Sequence, residues 1–188
     1  MRLAIFGGTF DPVHKAHLAI ASAAAGRFSL DRVLFVPAAH PPHKRGGTHA
    51  SFADRLRMID LAIAGDPRFE ASRLEEGSKR SYSIDTIERV RATLSPGDEL
   101  FFLIGADAFA ELRTWHRWRD VVRAVRFIVV SRPGASYDVP EGAIADRIDS
   151  VQLPVSSSEI RTALAEGRQP DVLPPAVFDY ARSRSLYA

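Results

Sequence analysis

Apolar and polar positions follow two alternating rhythms along this chain. The short apolar runs Leu3-Ala4-Ile5-Phe6, Val33-Leu34-Phe35-Val36, Leu100-Phe101-Phe102-Leu103-Ile104 and Val125 to Val130 have the continuous hydrophobicity of strands covered on both faces. Between them lie stretches with helical spacing. Residues 14–26 are alanine-rich, and Ser83 to Leu94 is amphipathic. Ser51 to Ala64 places Phe52, Leu56, Ile59 and Ile63 on one face, with Arg55 and Arg57 off it. Gly65-Asp66-Pro67 and Ser95-Pro96-Gly97 stop the helices they follow. Ile148 to Leu153 reads as a last strand, Ser156 to Ala165 as a helix after it, and Leu173 to Arg184 as a further helix started by Pro174 and Pro175. Strands alternating with helices predict an α/β fold, a Rossmann-like doubly wound parallel sheet with helices on both faces. The pattern contains no repeat or clear linker, so residues 1–188 are expected to form a single domain with a C-terminal helical part from about residue 154.

Composition narrows this picture. A chain of 188 residues can bury a real core. Cysteine is absent, which removes disulfides, thiolate metal sites and thiol nucleophiles and is compatible with the cytoplasm. No apolar run approaches the ~20 residues needed to span a membrane. The segment before Gly7 is too short for a signal-peptide core. A formal charge of only +2 does not suggest a nucleic-acid binder. Local basic spots such as His43-Lys44-Arg45 and Lys79-Arg80 suit a small polyanion better.

The chemistry concentrates where the first strand meets the first helix. Gly7-Gly8-Thr9-Phe10-Asp11-Pro12-Val13-His14-Lys15-Ala16-His17 is a glycine-rich turn with two histidines three apart. Such a turn lets a ligand approach the backbone, and the helix N–H groups behind it favour phosphate. On a helix, positions 14 and 17 share a face, so both imidazoles could reach one phosphate. A tight turn carrying surface histidines is the bland alternative, but the paired histidines favour function. The turn is neither a dinucleotide G-x-G-x-x-G nor a Walker A loop. A second cluster, Ser156-Ser157-Ser158-Glu159-Ile160-Arg161, has capping-box spacing from Ser156 to Glu159. Capping alone would explain the serines. Arg161, one turn in, adds a cation to the same helix end.

Gly7 to His17 resembles the signature of the nucleotidyltransferase superfamily, related to class I aminoacyl-tRNA synthetases. One position departs: Ala16 stands where glycine is usual, and its methyl would crowd a bound nucleotide. The serine cluster resembles the superfamily's second motif, with Val155 for the usual Ile. The resemblance implies that Gly7, Gly8, Thr9 and Phe10 bind ATP, and that Ser156, Ser157 and Arg161 hold its β- and γ-phosphates.

Three further segments point to an acceptor. Pro37 to Lys44, Ser81-Tyr82-Ser83-Ile84-Asp85-Thr86, and Ile104-Gly105-Ala106-Asp107 through Trp115-His116-Arg117-Trp118 resemble the bacterial nicotinate-nucleotide adenylyltransferases. The matches run in order from residue 3 to about residue 161. In that family the nicotinate ring stacks on a Trp, here Trp115, and N–H groups near Thr86 and His116 meet its carboxylate. Tyr82 belongs to the same subsite. Gly105 and Asp107 lie near the adenosine ribose, and Lys44 approaches the phosphates. The resemblance implies AMP transfer from ATP to nicotinate mononucleotide, with Mg²⁺ carried on the ATP phosphates and no protein metal site. His14, His17, Lys44 and Arg161 are the expected charge-stabilising groups. Asp11 is open to two readings, a contact to a metal-bound water or an Asx turn. Rival readings are another acceptor, nicotinamide mononucleotide or phosphopantetheine, or a non-catalytic nucleotide-binding module. A homo-oligomer is left open; no nucleic-acid or membrane partner is expected.

Overall fold

The computed structural model describes residues 1–40, 47–131, 136–149 and 156–188. Its strands are β1 (Arg2–Gly8), β2 (Arg32–Pro37), β3 (Phe69–Ala71), β4 (Glu99–Gly105), β5 (Arg126–Ser131) and β6 (Ile144–Asp149). All pair in parallel, in the order β3-β2-β1-β4-β5-β6. The direction of winding reverses between β1 and β4, which opens a crevice beyond their carboxyl ends. The parallel sheet and the doubly wound order agree with the expectation from sequence.

Strand alternation explains why both faces are covered. Ala4 and Phe6 of β1, with Phe101 and Leu103 of β4, point into one core; Leu3 and Ile5, with Leu100, Phe102 and Ile104, point into the other. The first core is closed by α1 (Lys15–Arg27), α2 (Phe52–Ile63), α6 (Ser157–Ala165) and α7 (Pro175–Ser183). The second is closed by α3 (Ser83–Arg91), α4 (Ala106–Ala110), a 3₁₀ turn at Leu112–Thr114 and α5 (Trp118–Ala124). The alanines Ala21, Ala24 and Ala25 of α1 are buried. Their small size lets the helix sit close on the sheet, against β2.

Three elements differ from the sequence reading. β3 was not expected, because Phe69-Glu70-Ala71 is too short to show a period and sits at the sheet edge. β6 begins at Ile144, four residues before the expected stretch; Ser150 to Leu153 lie outside the described residues. α1 begins at Lys15, and His14 is its N-cap rather than its first helical residue.

Candidate active site

β1 ends in the glycine turn, and each of its residues has a mechanical reason to be there. A Cβ on Gly8 would lie 2.9 Å from Cζ of Phe10, whereas one on Gly7 would make only ordinary contact with Phe102. Gly8 is therefore the seat of the Phe10 ring. Phe10 itself takes a left-handed backbone, with φ of 49°, rare for a residue with a large side chain. That conformation drives the ring inward, against Phe6 (5.5 Å), Phe35 (5.7 Å) and His17 (5.0 Å). Phe10, expected among the ATP-binding residues, thus backs His17 from below and does not line the cleft described next.

The two histidines lie face to face, with ring centroids 3.8 Å apart. The backbone N–H of His14 donates to Nδ1 of His17 at 3.2 Å. Nδ1 is thus an acceptor, and the proton of neutral His17 resides on Nε2. Nδ1 of His14 is buried with no hydrogen-bond partner among the described residues. Burial lowers the pKa of His14 to about 4, and burial together with the neighbouring His14 holds that of His17 well below the ordinary value. Both rings are neutral at pH 7.

This has a consequence for stability. The unfolded chain, with an imidazole pKa of 6.5, takes up a proton on His14 before the folded protein does. Stability is therefore unaffected above about pH 7 and falls as pH drops through 6.5 towards 4. At pH about 5 the loss from His14 alone is expected to be about 2 kcal/mol. Urea midpoints at pH about 7.5 and about 5 measure it. A His14→Gln variant with the same pH slope as the wild type would contradict the assignment.

Around the turn sits a buried polar network. The Asp11 carboxylate accepts the N–H groups of His49 (2.7 Å) and Ala50 (3.1 Å) and the hydroxyl of Tyr187 (2.8 Å). Burial alone would raise its pKa. The His49 N–H, the Tyr187 hydroxyl, the Ala50 N–H and the Arg161 charge outweigh burial and hold the pKa below the ordinary value. Asp11 is thus a structural anchor with both oxygens engaged, which rules against the metal-water reading and makes it more than a local Asx turn. Arg55, expected off the apolar face of its helix, is instead fully buried. Its Nη1 donates to the Thr9 carbonyl at 2.7 Å and its Nε to the Ala50 carbonyl at 3.3 Å.

The serine cluster docks on the same turn. Nη1 of Arg161 donates to the Asp11 carbonyl at 2.8 Å and Nη2 to Oγ of Ser158 at 3.1 Å, while Oγ of Ser157 donates to the Pro12 carbonyl at 3.3 Å. Ser156 is the N-cap of α6 and exchanges hydrogen bonds with Glu159, as the capping reading anticipated. Its hydroxyl is engaged in that cap.

Beside the turn, a cleft of about 470 Å³ opens over the ends of β1, β2 and β4. Gly7, Gly8, Thr9 and Gly105 line it, and so do Tyr82, Trp115 and His116. Tyr82 and His116 stack at 4.4 Å, and Trp115 stands edge-on to Phe102 at 6.0 Å. Trp118 lies outside the cleft wall, with the guanidinium of Arg119 over its ring. Among the described residues, no group of three or more His, Cys, Asp or Glu side chains is placed to hold a metal ion.

The cytidylyltransferase-like family model matches residues 5–163. A protein of Solibacter usitatus named "Probable nicotinate-nucleotide adenylyltransferase" is 67% identical over 187 residues, covering all of both chains. This chain belongs to the nicotinate-nucleotide adenylyltransferase family. A relative of the same name from Citrifermentans bemidjiense is 40% identical, over all of this chain and 98% of its own. In fold, this family member superposes on the nicotinic acid mononucleotide adenylyltransferase of Plasmodium falciparum, solved in complex with NaAD. The TM-score is 0.80 at 21% identity, covering 99% of this chain and 97% of that one.

Not every residue expected in the site of this adenylyltransferase lines the cleft: His14, His17, Ser156, Ser157 and Arg161 gather on the turn and the helix starts beside it. Thr86 is buried, and its hydroxyl donates to Oε1 of Glu75 at 2.8 Å. Its N–H points back to the Tyr82 carbonyl at 3.4 Å. Thr86 therefore acts behind the wall, and Glu75 is what the cleft meets. Asp107 is exposed on α4 and does not line the cleft, although its neighbour Ala108 does. Lys44 lies outside the described residues. Arg55, Glu75 and Tyr187 were missed. Each is joined to the site only through contacts between residues distant in sequence.

Proposed function

We propose that this chain transfers AMP from ATP to nicotinate mononucleotide, giving nicotinate adenine dinucleotide and pyrophosphate, as the name of its 67% identical relative implies. The observation that carries the reading is the meeting of three parts above the β1–β4 switch point. The Ser157–Arg161 helix end docks on the phosphate turn at Asp11 and Pro12, and Gly7, Gly8 and Thr9 of that turn line one cleft with Tyr82, Trp115 and His116. The whole chain serves as one nucleotidyltransferase domain, because α6 and α7 share the core of α1 and α2.

The 5′-phosphate of the mononucleotide is already a nucleophile, so no general base is required. The protein must bring two anions together and offset charge on the α-phosphate and the leaving pyrophosphate. In this reading the N–H groups at the start of α1 and Nε2–H of His17 donate to the α-phosphate, with His14 beside it. Phosphate charge raises the depressed imidazole pKa values and turns neutral donors into stronger ones. Arg161 and Ser157 hold the pyrophosphate end, and Lys44 supplies a further cation. ATP enters with Mg²⁺ on its phosphate oxygens, since the nearby Asp11 carboxylate is spent on three donors. Mg²⁺ carried there would lower the repulsion between the substrates. A cytoplasmic location belongs to the same reading. Among the described residues no helix is long and apolar enough to cross a membrane.

Pyrophosphate release from ATP, measured with nicotinate mononucleotide, nicotinamide mononucleotide and phosphopantetheine in turn, tests the assignment. The acid is expected to be preferred, and release with none of the three would leave only nucleotide binding. Trp115→Ala is expected to raise KM for the mononucleotide by about 10-fold or more, the loss of an aromatic stacking partner, with little change for ATP. Equal effects on both substrates would count against stacking on Trp115.

A further inference from the structure

Glu75 is the only acidic side chain among the described residues that line the cleft, and it is only 8% exposed. Its carboxylate is anchored from two sides. The Thr86 hydroxyl on α3 donates to Oε1 at 2.8 Å, and the Ala39 N–H, just after β2, donates to Oε2 at 3.3 Å. Each carboxylate oxygen accepts along about two directions, and these donors use one on each. The remaining capacity is free to face the cleft, where a buried anion requires a donor.

The mononucleotide is anionic at both ends, at its 5′-phosphate and its pyridine carboxylate. Glu75 repels either end. The donors the molecule does offer are the 2′ and 3′ hydroxyls between them, and a carboxylate with one open direction on each oxygen matches a cis-diol. Resting on the reading of this cleft as the mononucleotide site, we propose that Glu75 receives the ribose cis-diol of the acceptor. Thr86 and Ala39 fix the carboxylate, and the carboxylate sets where the ribose lies between the histidine turn and the aromatic wall. Thr86 is then a positioning residue that acts through Glu75.

The test compares nicotinate mononucleotide with its 2′-deoxy and 3′-deoxy analogues in the wild type and in Glu75→Gln. In the wild type, kcat/KM is expected to fall by about 10- to 100-fold for at least one analogue, the loss typical of a hydrogen bond to a charged group. In Glu75→Gln that gap is expected to shrink to less than about fivefold, with KM for ATP unchanged. A wild type that uses the deoxy analogues as well as the parent overturns the proposal without recourse to any variant. A variant that keeps the full gap also overturns it. So does a variant whose discrimination is lost instead between ATP and its analogue lacking the adenine amino group, since Glu75 would then be reading the other substrate. Failure of the wild type to release pyrophosphate with nicotinate mononucleotide overturns the acceptor reading itself. Activity that is indifferent to the hydroxyls overturns only the role of Glu75.

Discussion

His17→Ala is expected to lower kcat by about 10²–10³-fold while leaving the fold intact, the loss typical of one preorganised donor at a developing charge. His17 is the third residue of α1, and its Nδ1 is committed to the His14 N–H at 3.2 Å. That bond fixes the tautomer, so the Nε2 proton has one direction in which to point. Phe10 at 5.0 Å and Phe6 at 6.0 Å confine the ring, and His14 stacks on it at 3.8 Å. Truncation removes the donor, opens space beneath His14 and frees its N–H. Alanine is a better helix former than histidine, so α1 itself should not weaken. Single-turnover rates with saturating ATP separate this loss from binding. A soluble, folded variant with a near-normal rate would remove His17 from the chemistry.

The sequence was most legible where function and local backbone coincide. The glycine turn, the paired histidines and the Ser-rich helix start are contiguous in the chain, and their spacing alone placed them at a strand end or a helix N-terminus. The strand runs were equally readable, because a strand buried on both faces admits only apolar residues. Gly8 illustrates a limit even there. A phosphate turn predicts a glycine for backbone access, but in the structure the missing Cβ makes room for the Phe10 ring. Ala16, which departs from the family glycine, lies within the first turn of α1. Nothing in that regular helical backbone demands a glycine.

What the sequence hid are polar residues whose partners come from elsewhere in the chain. Arg55 falls off the apolar face of α2 by its spacing, and a charged residue off that face is normally solvated. It is buried because two carbonyls, from Thr9 and Ala50, converge on it. Glu75 lies in a polar loop with no period at all, and only the folded juxtaposition of Ala39 and Thr86 gives it a place. Thr86 adds a contact that its motif does not announce: its hydroxyl donates to the Glu75 carboxylate behind the wall.

Asp11→Ala is expected to destabilise the protein by about 3–5 kcal/mol, the range for removing one partner of a buried charged network. The carboxylate joins three parts of the chain: the turn itself, the His49–Ala50 segment, and Tyr187 beyond α7. Its removal leaves two N–H groups and a hydroxyl without an acceptor, and deprives Arg55 and Arg161 of the anion between them. Each orphaned donor costs about 1–3 kcal/mol on its own, so the sum must be partly relieved by relaxation of the turn. That relaxation reaches function, because Arg161 holds the turn through the Asp11 carbonyl and His14 follows three residues later. Catalysis should therefore fall even under conditions where the variant remains folded. Tyr187→Phe, which deletes a single donor and leaves the carboxylate in place, should cost about 1 kcal/mol. Urea unfolding of the two variants measures both losses. If Asp11→Ala were no more destabilising than Tyr187→Phe, the turn would be held by its backbone conformation and not by the buried carboxylate.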